Sequence, residues 1–160
     1  MVRPYADADS DALWALKRGF ETGLGEGTGD EAKQATYEAK LDEAYRSDWL
    51  DWVGRCVGEN ERCMQVAEGE DGLAGYVFVL PESMAFVWDA AVLNEIYVTP
   101  EFRGTGVADD LMDAALDAAR DQSLPLDRLV LDVDRENERA KAFYERYGFQ
   151  HWGEMVARDL

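Results

Sequence analysis

The chain has 160 residues, a length that suits one domain with a substantial hydrophobic core. Hydrophobic residues make up 47% of the sequence, which is too many for a disordered chain. Acidic residues outnumber basic ones by 34 to 16, and the net charge of −18 argues against nucleic acid or an anionic membrane as a partner.

No segment predicts a membrane span, a secretion signal or a metal site. The longest uncharged stretch, residues 72–81, is far too short to cross a bilayer, and the first residues lack an apolar run of the signal-peptide type. Cys56 and Cys63 lack zinc-ligand spacing and His151 is the only histidine, so neither a metal site nor a Ser-His-Asp triad is expected. We therefore expect a cytoplasmic protein with a halophile-like acidic surface suited to a salt-rich cytosol. Attraction of cationic substrates is the alternative explanation of the charge.

The first half of the chain predicts one strand, two helices and a hairpin. Residues 2–5 can form a short strand, and Asp9 or Ser10 can cap a helix that runs to about Thr22. The glycine-rich residues 23–29 then predict a mobile connection. An apolar stripe at three- and four-residue spacing predicts a second helix over about residues 30–57. Two strands, residues 62–67 and 73–80, flank a turn at residues 70–72.

The second half of the chain alternates strands with helices. An apolar strand within residues 84–98 ends before Pro100, and a helix follows over about residues 106–122. Residues 129–133 predict another strand, and residues 137–147 predict a helix that Gly148 would end in a left-handed conformation. One or two last strands are predicted between residues 149 and 157. This order predicts a single α/β domain over residues 1–160 with a mixed sheet.

The turn between the fourth strand and its helix has the composition of an anion-binding loop. Its residues are Arg103, Gly104, Thr105, Gly106, Val107 and Ala108. A helix N-terminus presents unpaired N–H groups and about half a positive charge, and glycines let a backbone approach phosphate closely. A Walker loop would need Lys where Val107 stands, and a dinucleotide fingerprint would need a third glycine at Asp109. The loop therefore predicts pyrophosphate binding of another type.

Two motifs resemble those of the GNAT superfamily of N-acetyltransferases. Arg103, Gly106 and Ala108 occupy the three marked positions of its R/Q-x-x-G-x-G/A signature. The second motif, V-x-x-x-N-x-x-A-x-x-F-Y-x-x-x-G-F, is matched by Val133, Asn137, Ala140, Phe143, Tyr144, Gly148 and Phe149. The close resemblance spans about residues 93–149, whereas the first half matches only in the order of its elements.

The resemblance implies a GNAT fold, with a mixed, mostly antiparallel sheet of six to seven strands and about four flanking helices. The fourth and fifth strands would splay apart and hold the pantetheine arm of acetyl-CoA, the expected cosubstrate. The arm would lie against the backbone of Ile96, Tyr97 and Val98, with Asn137 as a hydrogen-bond partner and Tyr144 near the thioester sulfur. The amides of residues 103–108 would hold the pyrophosphate, and no metal is implied.

The implied reaction is direct transfer of an acetyl group to a primary amine in a ternary complex. Glu95, on the strand beside the cleft, is the first candidate for the base that deprotonates the amine, and Asp132 is the alternative. Tyr144 would protonate the leaving thiolate, and the Val98 N–H would meet the oxyanion. The acceptor would be a small-molecule or peptide amine that no motif identifies.

A second interpretation keeps the fold but not the reaction. In it, the protein binds an acyl-CoA as a non-catalytic sensor or interaction module. The presence of Asn137 and Tyr144 favours the enzyme. The resemblance is also compatible with a homodimer.

Overall fold

The sheet has fewer strands than the sequence predicts. A computed structural model describes residues 1–28 and 31–160, and within them five strands form one sheet in the order β1-β2-β3-β4-β5. They are β1 (Val2–Pro4), β2 (Met64–Glu68), β3 (Leu73–Val79), β4 (Ala91–Val98) and β5 (Leu129–Val130). Neighbours among the first four are antiparallel, and β5 pairs with β4 in parallel. The mixed, mostly antiparallel sheet is confirmed, whereas six to seven strands is wrong for the described residues.

The C-terminal segment accounts for the difference. Residues 149–160 form no strand, and residues 151–160 are all exposed. The segment contacts the region of β5 through side chains: the guanidinium carbon of Arg128 lies 4.1 Å from the ring centroid of Trp152, and Arg135 Nη2 donates to Glu154 Oε1 at 3.2 Å. Its large apolar side chains Trp152, Met155 and Val156 stay exposed instead of packing on the core, so the predicted strands within residues 149–157 have no buried face to stabilise them.

Five α-helices connect the strands in the described part of the chain, rather than the four expected. They are α1 (Ser10–Thr28), α2 (Glu31–Ala39), α3 (Glu43–Glu59), α4 (Val107–Arg120) and α5 (Glu138–Arg146). α1 and α3 bury apolar stripes that include Leu13 and Val53 against one face of the sheet. α4 packs Leu111 against the other face, and α5 covers the same cluster with Phe143. None of the described helices is both long enough and apolar enough to cross a bilayer.

The extra helix comes from a break that apolar spacing does not reveal. The helix predicted over residues 30–57 is divided into α2 and α3, because the Asp42 carboxylate accepts a hydrogen bond of 2.8 Å from the Tyr45 N–H and caps α3. α1 continues through Thr28, so most of the predicted glycine-rich break is helical. Gly29, the last residue of the predicted break, and Asp30, the predicted start of the second helix, lie outside the described residues.

β4 and β5 separate soon after they pair. Their ladder joins Ala91 to Leu129 and Val92 to Val130, so β5 is shorter than the predicted strand over residues 129–133. In the described structure, β4 then continues without a partner on that side to Val98. A register shift against β3 also places a bulge in β4, and a bulge bends a strand. The splay that the resemblance implies is therefore present, and the open edge of β4 leads into the loop before α4.

Candidate functional site

The loop before α4 leaves N–H groups available at a helix N-terminus. Gly104 and Gly106 have φ values of 78° and 93°, left-handed conformations that residues with a Cβ rarely adopt. Gly106 is the N-cap of α4 and makes no side-chain cap. The N–H groups of Val107 and Ala108 therefore have no partner within the helix and remain available to an anion. This geometry fits the predicted anion-binding loop.

The polar side chains of the loop turn toward β4 and the preceding turn. Arg103 Nε donates to Val98 O at 3.2 Å, and its guanidinium carbon lies 5.8 Å from the centroid of the Tyr97 ring. Both the hydroxyl and the N–H of Thr105 donate to Phe102 O. Phosphate binding at this loop would therefore rely on the N–H groups of the glycines and of the first helical residues rather than on the Thr105 hydroxyl.

The backbone N–H and C=O groups of successive β4 residues point alternately toward β3 and toward the open splay. Thr99 N donates to a β3 carbonyl at 2.9 Å, so by alternation the N–H and C=O groups of Ile96 and Val98 face the side of β5. The backbone groups of Tyr97 face β3 instead. Its side chain packs against α1, where a Cβ on Gly19 would lie 2.5 Å from the Tyr97 hydroxyl. Of the three predicted pantetheine-binding residues, Ile96 thus offers an open N–H and C=O, Val98 offers an open N–H beside a carbonyl that already accepts from Arg103, and Tyr97 offers only its side chain.

Glu95, the first candidate base, lies in a buried ion cluster beneath α1. Its side chain is 2% exposed, and Oε1 lies 2.5 Å from Lys17 Nζ. The Tyr76 hydroxyl donates to the same oxygen at 3.0 Å, and Asn94 Nδ2 donates to the other at 3.2 Å. Lys17 Nζ also contacts Glu21 Oε1 at 2.6 Å. Both oxygens of Glu95 therefore already have a donor, and an incoming amine would have to exchange with one of them or act through water.

Aromatic rings surround the Lys17 ammonium in this cluster. They belong to Phe20, Tyr45 and Trp49, with centroids 5.2, 5.9 and 5.1 Å from Nζ. Burial lowers the pKa of Lys17, but the charges of Glu95 and Glu21 outweigh burial, so its pKa lies above the usual value. Burial, followed by the Glu95 charge, raises the pKa of Tyr76 well above its usual value. Lys17 therefore stays charged and Tyr76 stays protonated, and together they fix the position of Glu95.

α5 and its cap contribute two more predicted site residues. Asn137 caps the helix by accepting a hydrogen bond from Ala140 N at 3.1 Å, and its Nδ2 donates to no described residue. Tyr144 packs its ring against Phe143 and Phe149, at centroid distances of 5.6 and 5.8 Å. Burial raises the pKa of Tyr144 to about 12. Its hydroxyl therefore stays protonated near neutral pH and can donate a hydrogen bond.

Comparison with known proteins identifies the family of this chain. The profile of the acetyltransferase (GNAT) family matches residues 27–149. The chain belongs to this family. Human N-acetyltransferase 8B is 31% identical over 115 residues, which cover 71% of this chain and 50% of that protein. The 5-NmdU N-acetyltransferase of Pseudomonas phage PaMx11 is 33% identical over 100 residues, covering 62% of this chain and 66% of that protein.

Solved structures share the fold at lower identity. The PaiA N-acetyltransferase from Thermoplasma acidophilum, crystallised in complex with coenzyme A, is 19% identical with a TM-score of 0.73. The match covers 94% of this chain and 89% of that one. This GNAT chain spans only part of its two sequence relatives, 50% of the length of the human protein and 66% of the length of the phage protein.

Asp132, the alternative base, is exposed in this GNAT chain and lies beyond the short β5. The neighbouring Asp134 carboxylate contacts Lys33 of α2. The hydrogen bond from Lys33, followed by one from the Glu136 N–H, keeps the pKa of Asp134 below its usual value. α2 therefore reaches the connection that leads from β5 to Asn137.

Three residues of the buried cluster carry no motif signal, and sequence reasoning missed them. Lys17 and Glu21 stand four residues apart on α1, on the face that also carries the buried Leu13. Charged residues on the apolar face of a helix are rarely buried unless they pair with an opposite charge. Lys and Glu at i,i+4 spacing on such a face were therefore the available signal of a buried ion pair. Tyr76 gave no such signal, because its partner Glu95 lies 19 residues further along the chain on the next strand.

The described part of this GNAT chain offers no metal site. Among the described side chains, those of residues 1–23 and 31–160, no three His, Cys, Asp or Glu groups are placed to hold an ion. Cys56 and Cys63 are free and buried, and burial raises the pKa of Cys63 to about 12. A thiolate nucleophile is therefore disfavoured at Cys63.

Proposed function

We propose that this protein is an N-acetyltransferase that moves the acetyl group of acetyl-CoA to a primary amine. The observation that carries the proposal is the open edge of β4, where the backbone groups of Ile96 and Val98 face the splay. The strand leads into Gly104 and Gly106 at the N-terminus of α4. An open strand edge can pair with an amide-containing arm, and free N–H groups at a helix N-terminus suit a pyrophosphate. The names of the human and phage relatives support the same class of reaction.

The local charge fits an anionic cosubstrate, despite a net charge of −18. Asp109, in the first turn of α4, would repel a phosphate, but Arg146 Nη1 and the Tyr147 hydroxyl donate to its carboxylate at 2.7 and 2.6 Å. These bonds, that from Arg146 first, keep the pKa of Asp109 below its usual value, and the arginine offsets its charge. Acetyl-CoA bound here would supply an activated acyl thioester. Arg103 would add a cation nearby, and Asn137 Nδ2 would donate to the pantetheine arm.

The protein's own groups then have distinct tasks. A lysine-like amine has a pKa near 10.4, so forming its neutral species near pH 7.4 costs roughly 4 kcal/mol. Glu95 is the proposed acceptor of the amine proton, through a water or by exchange within its cluster, and Asp132 stays the alternative. The Val98 N–H would donate to the acyl oxygen as negative charge develops. Tyr144 would donate a hydrogen bond to the leaving sulfur, and transfer is direct in a ternary complex.

The setting and the acceptor are part of the same proposal. The acceptor is a small-molecule or peptide amine, and neither nucleic acid nor a membrane is a partner. Residues 1–160 form one domain that works in a salt-rich cytoplasm, which the charge of −18 supports. Sedimentation of the protein in molar KCl tests whether it forms a homodimer.

Binding and turnover test the proposal together. Acetyl-CoA should raise the melting temperature, since a ligand at 100 times its Kd stabilises the native state by about 2.7 kcal/mol. Released thiol is then followed with polyamines, amino acids and peptide N-termini in molar KCl, and a reaction without amine is the control for hydrolysis of the thioester. Binding of acetyl-CoA without thiol release in the presence of any amine would leave the sensor interpretation. Absence of binding would contradict both the enzyme and the sensor interpretations.

A further inference from the structure

A cavity of about 380 Å³ opens between α1 and the C-terminal end of β4. Its wall includes Arg18, Gly19, Thr22, Tyr97, Pro100 and Arg103. Arg103 also donates to Val98 O, which faces the splay, so the cavity adjoins the mouth of the splay on its α1 side. Glu95 lies two residues before Tyr97 on the same face of β4, about 7 Å along the strand. The cavity is therefore close to the proposed base, yet none of the steps above uses it.

Two arginines line this cavity without a carboxylate partner. Six other arginines of the chain form salt bridges: Arg3, Arg46, Arg62, Arg120, Arg135 and Arg146. With the described side chains, those of residues 1–23 and 31–160, neither Arg18 nor Arg103 forms one, and the same holds for Arg55, Arg128, Arg139 and Arg158. Acidic residues outnumber basic ones by 34 to 16. Arg18 and Arg103 differ from the other unpaired arginines because they line one cavity together, which gives that cavity a positive charge in an acidic protein.

The packing of α1 explains why Arg18 has no acidic partner. The nearest acidic residue in sequence, Glu21, points into the buried cluster, where Oε1 lies 2.6 Å from Lys17 Nζ and Oε2 lies 3.0 Å from Lys40 Nζ. Glu21 is thus already paired with two lysines. Arg103 is fixed on the opposite wall by its bond to the β4 carbonyl, which uses only one of its N–H donors. Both guanidinium groups can still donate to a ligand.

We propose that this cavity binds an anionic group, a carboxylate or a phosphate, carried by the acceptor amine. Guanidinium groups suit both anions because their planar N–H pairs match two oxygens at once. Thr22 adds a hydroxyl to the wall. The inference rests on the proposed acetyl transfer and deepens it. The acceptor is then an amine that also carries an acid, and capture of a coenzyme phosphate instead is a competing outcome of the test.

Arg18→Ala tests the site through binding alone. The probe is inorganic pyrophosphate, and its affinity for the protein without other ligands is measured by calorimetry at a fixed KCl concentration. Loss of one charge-assisted contact should weaken binding about tenfold, and Arg18→Lys should retain part of the affinity. Arg55→Ala is the matched control, because Arg55 is exposed on α3 and forms no salt bridge in the described structure. Equal affinities in the wild type and in the Arg18 and Arg55 variants would overturn the anion site.

Two further measurements identify the source of the anion. If the acceptor carries it, Arg18→Ala raises the KM for β-alanine about tenfold but leaves the KM for β-alaninamide unchanged. If the coenzyme carries it, Arg18→Ala weakens coenzyme A about tenfold, and 3′-dephospho-coenzyme A shows a similar loss with the wild type. Only the acceptor pattern supports the proposal, and the coenzyme pattern, or neither pattern in a variant of normal melting temperature, overturns it. Absence of turnover in the wild type would contradict acetyl transfer, while the pyrophosphate measurement still decides the anion site.

Discussion

Glu95 is a proposed base and also a member of a buried ion cluster, so its substitution tests two roles. Glu95→Gln removes the charge that lies 2.5 Å from Lys17 Nζ, while Glu21 still contacts the same ammonium. Breaking a buried ion pair costs about 3–5 kcal/mol, and the remaining carboxylate should hold the loss near the lower end. We expect urea denaturation to show a fall of about 3 kcal/mol. In the control, Lys17→Met/Glu95→Gln should lose less than the sum of its single variants, because neither partner is left alone.

The rate of Glu95→Gln separates a base from a structural support. If Glu95 takes the amine proton, kcat should fall most near neutral pH and recover partly at higher pH, where more of the amine is neutral. Tyr76→Phe removes only the hydrogen bond of 3.0 Å to Glu95 and should keep the wild-type pH profile. If the Glu95→Gln variant loses stability but keeps the wild-type pH profile, the Glu95 carboxylate has a structural role and is not the base. Asp132→Asn should then carry the loss of rate.

Tyr144→Phe should fold normally and bind acetyl-CoA but turn over slowly. The ring stays packed between Phe143 and Phe149, and only the hydroxyl is lost. Because the pKa of Tyr144 is about 12, full proton transfer to a thiolate whose acid has a pKa near 8.5 is uphill by about 5 kcal/mol. Hydrogen-bond donation is therefore favoured, and kcat at saturating acetyl-CoA should fall roughly 10- to 100-fold. Wild-type turnover would leave Tyr144 with only a packing role.

The raised pKa of Tyr144 also sets the pH range in which its ionisation affects stability and rate. Its folded pKa of about 12 lies above the usual value near 10, so the native state holds this proton more tightly than the unfolded chain. The associated stability is intact below about pH 10 and is lost as pH rises toward 12. The ratio of wild-type to Tyr144→Phe rates should accordingly stay constant from about pH 7 to 10. A ratio that falls toward one near pH 8 would contradict this assignment.

At the scale of elements, the N-terminus of α4 depends on one glycine. Gly106 has a φ of 93° and open space around its Cβ position, so a side chain there costs conformational energy, about 1–2 kcal/mol, rather than a clash. Gly106→Asn and Gly106→Asp have nearly the same shape, but only Asp adds a negative charge where phosphate is expected. Calorimetry should show acetyl-CoA binding at least about tenfold weaker to the Asp variant than to the Asn variant. Equal affinities would mean that phosphate does not bind at this loop.

Elements whose signals are local could be predicted from the sequence. Gly148 has a φ of 86°, and its N–H donates to Glu145 O at 3.0 Å while Phe149 N donates to Tyr144 O at 3.1 Å. This pattern is a Schellman motif, and a glycine after an apolar helical stripe is enough to predict it. The loop before α4 was predictable for the same reason, because glycines and a following amphipathic helix define it within a few residues.

Features that depend on distant partners could not be predicted in the same way. The ion pair between Lys17 and Glu95 joins residues 78 positions apart. The break at Asp42 rests on one hydrogen bond within a stripe of apolar spacing that continues across it. The strands expected after residue 149 would need a neighbouring edge and a core to bury them, and strand propensity measures that context rather than the segment alone.

At the scale of the whole molecule, like charges lie close together on the surface. The net charge is −18, and such an excess destabilises a compact state through self-repulsion. On α4, the exposed Asp113 has Asp109 and Asp117 four residues away on either side. Like charges at this spacing cost a few tenths of a kcal/mol on a helix. Asp121 differs, because its carboxylate contacts Arg62.

Salt should therefore stabilise the protein by screening repulsion. Raising KCl from about 0.1 M to about 1 M shortens the Debye length from about 10 Å to about 3 Å. If this removes about 2 kcal/mol of repulsion, the melting temperature measured by calorimetry should rise by about 4–8 °C. Asp113→Asn should raise the melting temperature at low salt and lose this effect at high salt, since Asp113 forms no salt bridge with a described side chain and lies four residues from Asp109 and from Asp117. Asp121→Asn removes the same charge together with an attractive contact and should give no gain. A melting temperature independent of KCl, or equal gains from both variants, would show that self-repulsion does not limit the stability of this surface.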